Sequence, residues 1–554
     1  MKKKRNLWLA GPAAVLALGL WHLLDVKLGV SANGDGWLIG CYAALGIAAL
    51  LALALLGWLL FDSGRRGREK AALEKIYPVA GLLLGLMYLF VLPPLSAPDE
   101  ISHYVSAYRL SGVMLGEPAV SRDGRVLLRA EDAWVEDLGG VFEYEADEDG
   151  NLQVTGESRN GALKLGETLD ESVYKTLWEL GVTGQYMPER LERLNGARVA
   201  STYPPVTTTP LAYVPQAAGI ALARFLGLKT APLLYLGRLM NLLFFVGLTW
   251  LAMRRLPFGR EVLFGVAMLP MTLHLSASFS YDVMILGCMF LFTAVCLDLA
   301  YGKERVEIKD IVLLMALIAA AGPCKMVYAP MLGLCLLIPV RKFGGRGRWA
   351  LAAAAVLTAF ASAMLLVNSR VIASYATETE SYVQWAGEPG YSLTLLIHQP
   401  MRLIRMFYQT LLWQAKEWHL TMIGASLGNL DEVLDVPYIA VALFTLGLLG
   451  LAFKKPGESV RISGGCRVWV FTVCAGCMAA AMLSMLIAWT PLSSRVISGV
   501  QGRYFLPFLP VLLMALKNDI VILTKDKNRS ILYLMCCLNG YVLLRLFSVV
   551  SMRI

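Results

Sequence analysis

The sequence predicts an all-α polytopic membrane protein, and three observations carry that prediction. Apolar runs of spanning length recur from end to end, charged residues are scarce, and the basic residues fall in short loops between the runs. Of 554 residues, 57% are hydrophobic and 16% charged, and the mean hydropathy is +0.58. Soluble chains sit near 45–50% apolar with about 25% charged. A helix needs roughly 17–25 apolar residues to cross a hydrocarbon core of about 30 Å. Helices are the expected spanning element because lipid offers backbone N–H and C=O groups no partner.

The basic residues set the expected topology. Seven segments, 2–5, 65–75, 254–260, 303–309, 341–348, 454–467 and 517–529, hold 27 of the 50 Lys and Arg, and the positive-inside rule assigns them to the cytoplasm. With these fixed, spans are expected at 7–24, 36–61, 77–95, 232–252, 261–276, 283–302, 310–322, 328–341, 349–369, 437–453, 467–490, 504–517 and 530–550. That gives about thirteen transmembrane helices, with the N-terminus inside and the C-terminus outside. The pair 310–322 and 328–341 is short and interrupted by Pro323 and Pro330, as in a broken or re-entrant hairpin. MKKKR followed by an apolar run resembles a signal peptide, but without a small-residue cleavage site it reads as an uncleaved first helix. The net charge of +9 is spread over these loops rather than gathered into a patch, so no nucleic-acid partner is expected. No cysteine lies in 96–210, which argues against a disulfide-stapled exterior, and the pair Cys474 and Cys477 reads as small packing residues.

Residues 96–210 form the main expected extracytoplasmic loop, with 20 of the 41 acidic residues against 10 basic ones. A helix is expected from Asp99 to about Ser111. A small β insertion is expected from GRVLLR (124–129) and VFEYEADEDGNLQVTG (141–156), with a turn at Asp149 and Gly150, and another helix over 171–180. LAYVPQAAGIALARFLGL (211–228) contains Pro215 and Arg224; if it crossed, the next basic loop would land outside, so it is laid along the outer surface as an interfacial helix. In a second extracytoplasmic segment, 370–436, Arg402, Arg405, Gln409 and Lys416 recur at helical spacing among apolar residues. That pattern describes an amphipathic interfacial helix; lipid anchoring and substrate contact both remain open for Arg402 and Arg405.

The string APDEISHY (97–104) follows the third span. On a helix starting at Pro98, Asp99, Glu100 and His103 would share one face. Carboxylates and an imidazole there can bind a divalent ion or take a proton from a hydroxyl, although Pro followed by two acids is also an ordinary helix start. Other polar groups are expected at the same membrane face: Asp282 in SASFSYD, Lys325 in PCKMVY, and Gln501, Arg503 and Tyr504 in GVQGRYFLP. A buried Lys must meet water or an anion, and Arg can hold a phosphate bidentately. Arg238 and Asn241, in LGRLMNLL, read as buried contacts between helices.

Taken in order, APDEISHYVSAYRLSG, YPPV, AYVPQAAGIALARFLGL, GRLMNLLFF, LPMTLHLSASFSYD, IGASLGNLDEVLDVP and GVQGRYFLP resemble the bacterial membrane-protein family catalogued as domain of unknown function 2142, over about residues 77–517. Residues 1–76 then read as two additional N-terminal helices and 518–554 as a C-terminal one. That family is in turn similar to GT-C class glycosyltransferases. The resemblance implies a GT-C-like core in the bacterial plasma membrane. This core would transfer a sugar from a polyprenyl-phosphate donor to a cell-envelope glycan or glycolipid on the extracytoplasmic side, with inversion. It implies Asp99, with Glu100, as general base or metal ligand, and His103 beside them. Asp282 would be a second acidic site, Lys325 and Arg503 the holders of the departing lipid phosphate, and Gln501, Tyr504 and Tyr203 further substrate contacts. Mg²⁺ or Mn²⁺ on Asp99, Glu100 and Asp282 is the cofactor this would use. Two other classes stay open: a transporter or flippase of a lipid-linked precursor, and a non-catalytic envelope-assembly protein.

Overall fold

A computed structural model describes residues 7–33, 36–62, 72–136, 144–146, 152–154, 177, 198–377, 381–428, 434 and 436–552. Its longer helices are α1 (Ala10–Asn33), α2 (Trp37–Gly57), α3 (Leu73–Val91), α4 (Glu100–Leu115), α5 (Val214–Phe225), α6 (Thr230–Arg255), α7 (Arg260–Ala267), α8 (Pro270–Ser276), α9 (Asp282–Leu297), α10 (Ile308–Ala321), α11 (Arg346–Thr377), α12 (Pro400–Ile423), α13 (Tyr438–Ala452), α14 (Gly464–Trp489), α15 (Leu509–Met514) and α16 (Asn528–Met552). Among the described residues eight helices are long and apolar enough to cross a membrane: α1, α2, α3, α6, α9, α11, α14 and α16.

The other five expected spans fold as shorter or broken pieces. Segment 261–276 divides into α7 and α8 at Pro270, which opens the second helix without an N–H to bond back. Segments 310–322 and 328–341 become α10 and a 3₁₀ helix, Met326–Leu337, separated by Lys325 in extended backbone. Segment 437–453 is the short helix α13, and 504–517 is a 3₁₀ turn, Gly502–Phe505, followed by α15. These interruptions bring backbone turns and polar side chains into the bundle, where non-helical backbone is tolerated because protein surrounds it.

α9 is the centre of the bundle. It is apolar all round, and 94% of its spanning window is buried, as a helix without a polar face requires. α6, α10 and the 3₁₀ helix Met326–Leu337 pack against it, whereas α1 and α11 keep most of their surface outward. The segment expected to lie along the outer surface contains α5, packed against α4 and α6. Its twelve residues span about 18 Å, too short to cross. Arg224 donates to Ser111 Oγ at 2.9 Å and to Glu117 at 2.6 Å, so its charge is met inside the protein. Gly219 makes this packing possible, because a Cβ there would stand 2.5 Å from the Leu236 carbonyl oxygen.

The β insertion is a four-stranded sheet of β1 (Leu127–Arg129), β2 (Tyr144–Ala146), β3 (Leu152–Val154) and β4 (Arg198–Ala200), in the order β1-β4-β3-β2. β2 and β3 pair antiparallel, as expected of a hairpin. The expected turn at 149–150 and, Leu177 apart, the expected helix over 171–180 lie outside the described residues. A buried polar group fastens the sheet to the helices: Asp132 accepts from Tyr108 Oη at 2.7 Å, Arg129 Nε at 2.6 Å and Thr230 Oγ1 at 2.9 Å.

Candidate functional site

Four loops converge at one end of the bundle: 92–99 before α4, 277–281 before α9, Lys325 between α10 and the 3₁₀ helix, and 501–504. A buried polar plug fixes the first two relative to each other. Glu100, 1% exposed, accepts from the backbone N–H of Ala97 at 2.9 Å and of Phe279 at 2.8 Å, and lies 3.4 Å from Arg238 Nε. Arg238, wholly buried, donates to the carbonyls of Leu89 and Leu92 at 3.1 and 3.0 Å. From the other side Asn241 donates to Ser278 and Ser280, and Gln216 to Phe279 and Ser280. The plug therefore satisfies carbonyls that a broken helix leaves without intrahelical partners.

On this frame four charges meet. Asp282 lies 2.9 Å from Lys325 Nζ and 3.5 Å from Arg503, and Arg503 lies 3.8 Å from Asp99. Asp282, Lys325 and Arg503 have side chains only 10%, 19% and 6% exposed, whereas that of Asp99 is 75% exposed. Burial opposes the charges of Lys325 and Arg503, but the carboxylate of Asp282 outweighs it and holds both cations above their ordinary pKa values. Tyr504 and Tyr281 place their rings 4.2 and 5.1 Å from Lys325 Nζ, a cation–π arrangement that replaces part of the lost hydration. Gly502 admits Arg503 to this position: a Cβ there would collide with the Trp418 carbonyl of α12.

His103 stands beside the cluster. Its Nδ1 is 2.7 Å from Tyr213 Oη, and its ring meets Tyr281 edge-on at 5.0 Å. Burial, helped by Arg503 and Lys325 and opposed by Asp282, lowers its pKa from 6.5 to about 3, so the imidazole is neutral.

The structure thus brings together Asp99, His103, Asp282, Lys325, Arg503 and Tyr504. It sets Glu100, Arg402 and Arg405 apart. Glu100 does not share a face with Asp99, because α4 begins at Glu100 and Asp99 precedes it in left-handed backbone (φ 57°), which turns the two side chains in opposite directions. Asp tolerates that conformation better than most residues. Arg402 stacks over Tyr391 at 4.9 Å. It lies nineteen residues, about 28 Å, along α12 from Thr421, whose Oγ1 accepts from Gly502 N. Arg405 is exposed on the same distant part of α12, so neither arginine joins the cluster. Tyr203 belongs to a turn around Ser201, which donates to Glu136 at 2.6 Å. Gln501 lies next to the cluster in the chain, with Oε1 buried and without a protein partner, as is Arg503 Nε.

The expected divalent-ion set of Asp99, Glu100 and Asp282 does not fit. Glu100 is committed to two N–H groups and Arg238, and Asp282 to Lys325 and Arg503, which leaves only Asp99. Among the described residues no group of three or more His, Cys, Asp or Glu could hold a metal. Tyr213 and Tyr281 are site residues that sequence reasoning missed; Tyr281 adjoins Asp282 in SYD, while Tyr213 carried no signal beyond its place in AYVP.

Two outcomes are expected. Glu100→Gln leaves Arg238 buried without its counter-ion and destabilises the protein by about 3–5 kcal/mol, lowering the unfolding temperature in detergent, while the double change Glu100→Leu with Arg238→Leu recovers part of that loss; an unaltered unfolding temperature for Glu100→Gln would contradict the pairing. His103, held neutral in the fold, contributes stability that is complete above pH 6.5 and is lost as pH falls toward about 3. Replacing it by Gln flattens the stability–pH profile in that window, and an unchanged slope would show that its neutrality is not coupled to folding.

The family model described as "Predicted membrane protein (DUF2142)" matches residues 82–512, which include every member of the cluster. Neither the curated proteins nor the solved structures give a match. With that match over more than half its length, the chain belongs to the DUF2142 family of membrane proteins.

Proposed function

We propose that the protein is a membrane glycosyltransferase that moves a sugar from a polyprenyl-phosphate donor to a cell-envelope glycan or glycolipid, with the Asp99 site on the extracytoplasmic side of a bacterial plasma membrane. The observation that supports this most is the charge balance of the site: two buried cations share one buried carboxylate, and the second carboxylate, Asp99, is exposed and 3.8 Å away. A site so built has room for one more negative charge, such as the one that develops on a departing lipid phosphate.

In the reaction the acceptor hydroxyl oxygen attacks the anomeric carbon as the bond from that carbon to the phosphate oxygen breaks. The bonding pair leaves with the lipid phosphate, where Lys325 and Arg503 meet it. The hydroxyl proton passes to Asp99, whose exposure lets an acceptor reach it, and the single displacement inverts the anomeric centre. Neutral His103 adds no third positive charge. An apolar cleft of about 900 Å³ between α2, α3 and α6, lined by Phe90, Val91 and Tyr235 near the site end of these helices, offers a place for the hydrocarbon tail.

The test incubates purified protein with a panel of polyprenyl-phosphate sugars and an envelope-lipid acceptor and measures both free polyprenyl phosphate and new glycosidic bond. Transfer is expected to persist in chelator and to fall by about 10²–10⁴ in Asp99→Asn, the usual worth of a general base. Activity within twofold of wild type in that variant removes Asp99 as the base. Exchange of labelled lipid across liposomes with no bond formed identifies a transporter instead.

A further inference from the structure

At the end of the bundle away from Asp99 the chain builds a second site of different chemistry. The 3₁₀ helix Met326–Leu337 starts beside Lys325 and runs about 24 Å to Ile338, followed by the basic stretch RKFGGRGRW, 341–349, which is a 3₁₀ turn and a glycine loop running into the first turn of α11. Here a cavity of about 250 Å³ lies between α9, α10, the 3₁₀ helix and α11. Its wall is apolar, including Leu299, Leu314, Leu336 and Val356, and two aromatic residues of the basic stretch, Phe343 and Trp349, line it as well. On α11, Trp349, Val356 and Leu357 line it, and between them Ala352 and Ala353 present only methyl groups. An engineered apolar hollow of about 150 Å³ already accepts a benzene-sized guest, so this one accommodates part of a hydrocarbon chain.

The stretch that carries the two aromatics also carries Arg341, Arg346 and Arg348, all exposed, and none is paired with a carboxylate among the described residues. Their basic neighbours differ: Lys342 donates to the carbonyls of Leu299, Ala300 and Lys303, and Lys303 to Asp310. The positive charge left over therefore belongs to the arginines that neighbour the lining aromatics in the chain. A loop that only marked topology would need basic residues but no hollow between them.

We propose that the cavity and the basic stretch together bind a glycerophospholipid with an anionic headgroup, one acyl chain lying between α10 and α11 and the headgroup phosphate on Arg346 and Arg348. Arginine suits this headgroup because its fork of N–H donors matches phosphate oxygens, and basic pockets between membrane helices recognise such lipids. The site is independent of any sugar-transfer chemistry.

Delipidated protein titrated in detergent with phosphatidylglycerol and with phosphatidylcholine of identical chains, read by native mass spectrometry, tests it. The wild type is expected to bind the anionic lipid at least tenfold more tightly. Arg346→Ala with Arg348→Ala is expected to weaken phosphatidylglycerol by about thirtyfold, from roughly 1 kcal/mol for each charge removed, and to weaken phosphatidylcholine, whose phosphate is offset by its own ammonium group, by a smaller factor. Ala353→Phe, which fills the hollow, is expected to weaken both. Equal binding of the two lipids by wild type, an arginine variant within twofold of wild type, or full binding by Ala353→Phe overturns the proposal.

Discussion

The buried carboxylate of Asp282 holds Lys325 and Arg503 in one place, and the rest of the site depends on that interaction. Alone in a low-dielectric interior, either cation would lose its hydration at a cost of several kcal/mol. Three elements far apart in the chain therefore gain most when they meet: the start of α9, the break after α10, and the turn before α15. Among the described residues the meeting leaves one positive charge in excess within the buried part, faced by an Asp99 side chain largely in solvent.

The scaffold supports this pairing by being broken where the charges sit. Proline and glycine interrupt the helices near Pro98, Pro323 and Gly502, and each interruption frees backbone groups that require partners. Glu100 accepts from Ala97 beside Pro98, Asn368 donates to the Pro323 carbonyl and Thr421 Oγ1 accepts from the Gly502 N–H, while Arg238, Asn241 and Gln216 meet the carbonyls of Leu89, Leu92 and 278–280. The loop before Asp282 and the loop before Asp99 are thus tied by one set of hydrogen bonds, which fixes the exposed and the buried carboxylate relative to each other.

Much of this is legible in the residues. The apolar runs identify the spans, and a Lys in PCKMVY or an Arg in QGRY, placed at the edge of an apolar run, marks a cation in need of a partner. Asp99, Asp282, Lys325 and Arg503 could be singled out because each is a charge where lipid-facing helices have none. What pattern could not give is direction. Glu100 looks equivalent to Asp99 until the left-handed backbone at Asp99 turns them apart, and Arg402 looks like a site residue until the length of α12 separates it from Gly502. Five expected spans are shorter or broken because hydropathy records burial, and a helix buried in protein is as apolar as one buried in lipid.

Equilibrium binding of sugar-free polyprenyl phosphate to the purified protein tests the shared-carboxylate site most directly. Lys325→Met is predicted to weaken that binding by about tenfold to a hundredfold, the worth of one charge-assisted hydrogen bond, while Asp99→Asn leaves it intact. Unchanged affinity in a folded Lys325→Met protein would contradict the account.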